Sequence, residues 1–80
     1  MNNNLSSTAV IYAILSINSE ISLQKEYLDQ TDIDPDEREN EEDILGDLEQ
    51  ALMEFIELYK LHLKNDKQLP SLEELLNSEL

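Results

Sequence analysis

The segment TDIDPDERENEED, Thr31 to Asp43, sets eight carboxylates against one cation, Arg38. Three kinds of chemistry use such a run: oxygen ligation of a cation, imitation of a phosphate row, and completion of a helix start. Asp32, Asp34, Asp36, Asn40 and Asp43 fall at positions 1, 3, 5, 9 and 12 of a calcium-loop register, the spacing of an EF-hand. That register fails at its turning points. Glu37 stands where the loop needs glycine, Pro35 fixes φ inside the wrap, and Asp43 replaces the long bidentate glutamate. No metal and no cofactor is expected.

The helix-start reading uses the same residues with less strain. Asp34 suits an N-cap, Pro35 the first helical position, and Asp36 and Glu37 the positive end of the helix dipole. Glu37, three residues past Asp34, makes an aspartate-led relative of the capping box. Capping does not need the continuation ERENEED, because the dipole benefit fades past the first turn and like charges one turn apart repel. From Asp32 to Glu54 there are eleven acids and one base, whereas Met1 to Gln24 carries only Glu20, and Lys60, Lys64 and Lys67 lie late in the second helix. The candidate partner-binding face is therefore Asp36, Glu39, Glu42, Asp43 and Glu49. Carboxylates along a rigid helix can occupy the basic groove of a nucleic-acid-binding protein. The plainer alternative is a solvated face that keeps a small protein soluble.

No constellation supports catalysis. The chain has no cysteine and one histidine, and it lacks a phosphate-cradling glycine loop and a serine elbow, so it is read as non-enzymatic. A net charge of −14 on eighty residues opposes direct binding to DNA, RNA or an anionic membrane, since counterion release requires lysine and arginine. The apolar run Ala9 to Leu15 is too short to span a bilayer and has no basic residues before it. A soluble, mature N-terminus and a cytoplasmic location are the expectations.

These side chains need elements to hold them, and the apolar spacing supplies helices. Val10, Ile14, Ile17, Ile21 and Leu28 form one stripe, predicting a helix over about 6–30. Ile44 or Leu45, Leu48, Leu52, Phe55, Tyr59 and His62 form another, predicting a helix over 35–65. After Pro70, Ser71 with Glu74 makes a capping box for a short helix over 72–78. Nothing alternates with period two. The fold class is all-α: a single domain, 1–80, built as an antiparallel helical hairpin with a short third helix.

Ile11, Tyr12 and Leu15 widen the apolar surface of the first helix beyond one stripe, and a lone hairpin covers one side of each element. These three are the self-association candidates, and two hairpins in a four-helix bundle, a homodimer, would relieve the small core. The function expected is a regulatory protein that binds and inhibits or sequesters a basic protein through the acidic face. The alternative is an adaptor, secretion chaperone or antitoxin-like protein docking through apolar helix surfaces, including Leu72-Glu73-Glu74-Leu75-Leu76, an L-x-x-L-L segment whose expected role is otherwise to fold back as a lid on the bundle.

Overall fold

The computed structural model describes residues 5–77. They form α1 (Ser7–Leu28), α2 (Pro35–Asn65) and α3 (Leu72–Leu76), with no strand among the described residues. The expected end of the third helix at Ser78 lies outside the described residues; α3 is capped at Asn77.

Each start follows from its cap. The Ser6 hydroxyl accepts the Ala9 N–H at 3.0 Å, and an Asp34 carboxylate oxygen accepts the Asp36 N–H at 3.4 Å with Pro35 at the first helical position. Ser71 and Glu74 exchange both capping-box bonds: the Glu74 N–H donates to Ser71 Oγ at 3.1 Å and the Ser71 N–H to Glu74 Oε1 at 2.8 Å. Those bonds hold the Glu74 carboxyl below the usual carboxylate range. The Asp34 start departs from expectation in one respect. Glu37 does not return to the Asp34 backbone, because its carboxylate accepts the Tyr27 hydroxyl of α1 instead.

The two long helices run antiparallel, and α3 folds back onto them. One cluster, Val10, Ile14, Tyr59 and Leu75, joins all three helices. Tyr59 is fully buried and its hydroxyl donates to the Pro70 carbonyl at 2.6 Å. That bond pins the connector 66–71, and burial, with Glu74 and Asp66 nearby, raises the Tyr59 pKa. Leu72, Leu75 and Leu76 all pack into this cluster. The L-x-x-L-L leucines are thus spent inside the chain, and α3 is a lid rather than an outward docking helix.

The core stripes are narrower than their spacing suggests. Among the described residues only Val10, Ile14, Ile21, Tyr59 and Leu75 are buried. Ile17 and Leu28 are half-buried, and Ile44 is exposed while Leu45 turns partly inward. Lys67 falls beyond α2, in the connector. Ile11 and Leu15, expected at a self-association surface, are partly buried against the chain's own core; Tyr12 stays 65% exposed.

The far end of the hairpin is held by polar ties. Arg38 donates from Nη1 to the Leu28 carbonyl at 2.8 Å and from Nη2 to the Gln30 carbonyl at 2.6 Å. It caps the exposed carbonyls at the end of α1, which stops at Leu28, two residues short of expectation. Gln24 Nε2 reaches the Glu41 carbonyl at 3.0 Å and Glu41 Oε1 at 2.6 Å. Arg38→Met should therefore lower stability by about 1–2 kcal/mol, with Arg38→Lys recovering only part, because one ammonium cannot span two carbonyls as a guanidinium fork does. Equal thermal midpoints for wild type and Arg38→Met would refute this cap.

Candidate functional site: the outward face of the second helix

At 100° per residue, Asp36, Glu39 and Asp43 fall within about 60° of one another on α2, and Glu42 and Glu49 extend the arc to about 140°. All five are exposed, and none has a hydrogen-bond or ion-pair partner among the described side chains. The helix brings the five sequence-selected acids to one side of the molecule. It also sorts them: Glu42 and Glu49 flank the row rather than form it.

The straighter row is Asp36, Glu39, Asp43, Asp47 and Glu54, within about 80° and along about 27 Å of axis. Asp47 and Glu54 are exposed and were missed by attention to the dense run alone; applying the helical period to the acids would have found them. Glu54 accepts a bond from Gln50 Nε2 at 3.0 Å. Glu37 and Glu41 leave the row, since they serve Tyr27 and Gln24 across the hairpin. The acidic run therefore divides by use: Glu37 and Glu41 bind α1, Asp34 caps α2, and Asp36, Glu39, Glu42 and Asp43 face outward.

Cation chemistry finds no support in the geometry. Asp36, Asn40 and Asp43 lie along a straight helix instead of around a loop, and among the described residues no group of three or more His, Asp or Glu side chains could hold a metal ion. The only ion pair among the described residues is Lys60 with Glu57 at 3.1 Å, exposed on both sides, a class worth at most about 1 kcal/mol. His62 Nδ1 shares a hydrogen bond of 2.8 Å with Ser7 Oγ, tying the end of α2 to the start of α1. This gives the histidine a structural use.

Gly46 sits on the outward side of α2, where an added Cβ would meet nothing within 4 Å. Its presence has no explanation in the packing of the chain.

Tyr27 offers a test of the hairpin's acidic end. Its phenol is pushed up to about 12 from an ordinary 10.0, first by the bond to Glu37, then by burial and the charges of Glu37, Glu41 and Asp32. The neutral phenol is the donor, so its stabilisation is complete below pH 10 and is lost as pH rises through about 12. Phenolate absorbance should show a component near pH 12 that Tyr27→Phe removes. An unchanged titration in that variant would refute the tie.

No helix among the described residues is long and apolar enough to cross a membrane. No protein-family model, curated protein or solved structure matches the chain.

Proposed function

We propose that the chain is a small, non-enzymatic regulatory protein that binds a basic protein through the outward face of α2 and blocks or sequesters it. One observation carries the reading: Asp36, Glu39, Glu42, Asp43 and Glu49 stand exposed on one side of a rigid helix with no partner in the chain. Acids that stabilised the fold would be bonded within it, as Glu37 and Glu41 are. A row of carboxylates about 5–10 Å apart along the axis offers negative charge at a density that suits a groove built for nucleic-acid phosphates. The compartment that goes with this reading is the cytoplasm, where basic nucleic-acid-binding proteins work.

The proposed assembly is a homodimer with four long helices. Its support is surplus surface: the chain exposes 5997 Å², roughly 1,000 Å² more than a compact monomer of this length. Its radius of gyration is 15.1 Å, against about 12 Å for a compact chain.

A second reading, docking through apolar helix surface, draws on Tyr12, Leu23, Met53 and Leu61, each more than half exposed. Its version through α3 loses ground because those leucines pack inward. The deciding experiment is capture of partners from native cells at low and at high salt. A basic protein captured only at low salt supports the acidic face; capture that persists at high salt supports apolar docking, because screening beyond about 8 Å at physiological salt removes only the first.

A further inference from the structure

The outer side of α1 differs from every other long surface of this molecule. Exposed residues from Thr8 to Leu23 carry a single charge, Glu20, on a chain of net charge −14. Tyr12, Ser16, Ser19 and Leu23 lie within about 60° of one another, opposite Val10, Ile14 and Ile21. All four are exposed, Tyr12 at 65% and Leu23 at 57%. They repeat large, small, small, large about a midpoint between Ile17 and Asn18. Rotating a second copy by a two-fold axis through that midpoint sets Tyr12 of one protomer against Leu23 of the other and the serines against each other at the crossing.

We infer that two copies pair through this face, α1 against α1 and antiparallel, with Tyr12 of one protomer packed on Leu23 of its partner. This specifies the homodimer proposed above and rests on it. Charge selects both the occupant and the direction. A basic partner would be drawn to the acid row of α2, whereas a second acidic chain can approach closely only where charge is absent. The acids from Asp29 to Asp43 crowd the α1–α2 loop end against Arg38 alone, whereas at the other end Lys60, Lys64 and Lys67 nearly offset Glu57, Asp66, Glu73 and Glu74. Parallel pairing would put two acidic ends together. Antiparallel pairing sets each acidic end beside the nearly neutral end of the partner and so avoids that repulsion. The surplus exposed area is of the order that one standard interface removes from each partner, about 800 Å². In the resulting order, α2–α1–α1–α2, both acid rows remain on the outside.

The test uses the full chain. Sedimentation equilibrium at about 100 µM should give twice the chain mass, and Tyr12→Glu with Leu23→Glu should raise the dissociation constant at least roughly 100-fold while circular dichroism stays unchanged, because both positions are exposed in the protomer. The chain lacks cysteine, so mixing a Tyr12→Cys chain with a Leu23→Cys chain under mild oxidation should give the mixed disulfide, with little dimer from either chain alone. Tyr12 of one protomer lies about 16 Å along the axis from the same position of the other copy in this pairing, too far for a disulfide. A dimer untouched by the double glutamate variant would overturn this interface and leave the dimer standing. Homodisulfides formed readily by each chain alone would show parallel pairing and overturn the arrangement. A wild-type monomer at 100 µM would overturn the interface and the dimer together.

Discussion

Tyr59→Ala is expected to unfold most of the molecule at room temperature. Tyr59 is the largest fully buried side chain and meets Val10, Ile14 and Leu75, so it is where α1, α2 and α3 join. Truncating a buried aromatic costs about 3–5 kcal/mol, and here the Pro70 carbonyl also loses its donor. A domain of this size with five buried residues among those described holds only a few kcal/mol in reserve. Tyr59→Phe separates the two contributions: it keeps the ring and loses the hydroxyl, at a cost of about 1 kcal/mol. Helical circular dichroism through a denaturant titration reads both variants. If Tyr59→Ala unfolded at the wild-type midpoint, the three-helix junction would not be the seat of stability.

Neutralising the outward acid row should have the largest effect on binding and almost none on folding. Glu39→Gln, Asp43→Asn, Asp47→Asn and Glu49→Gln remove four charges from exposed side chains that have no partner in the chain. If the partner is a basic protein, association at low ionic strength should slow by about 10- to 100-fold, and the difference should shrink as salt rises. Helicity should stay, and thermal stability should hold or rise by a few tenths of a kcal/mol per relieved pair. Stopped-flow mixing with the basic protein captured at low salt measures this directly. An unchanged rate in low salt would remove charge mimicry and leave apolar docking in its place.

The capping residues explain why so much of the fold is legible in the sequence. Ser6, Asp34 with Pro35, and Ser71 with Glu74 each satisfy N–H groups within three residues of themselves, so the two long helices and the short third are written locally. The helical period likewise sends Asp36, Glu39 and Asp43 outward without reference to any other element. The candidate face was readable for that reason, and Asp47 and Glu54 were equally readable from the same period.

What the sequence could not assign was the partner of each side chain across the hairpin. Arg38 stands among eight acids, yet it binds the Leu28 and Gln30 carbonyls at the end of α1 and just past it; Glu37 resembles a capping residue and binds Tyr27; Ile11 and Leu15 resemble a free face and pack against the core. Local periodicity fixes a direction about one helix axis. Which residues meet across two axes depends on the axial register of α1 against α2 and on where the 66–71 connector returns the chain, and those are set by the summed packing of Val10, Ile14, Tyr59 and Leu75, residues up to 65 positions apart. The helices, their caps and the outward acid row follow from local chemistry, and the folding back of α3 was expected from its leucines; that Arg38 is a cap and that Tyr12 and Leu23 remain uncovered follows from the fold, because long-range packing chooses among faces that are locally equivalent.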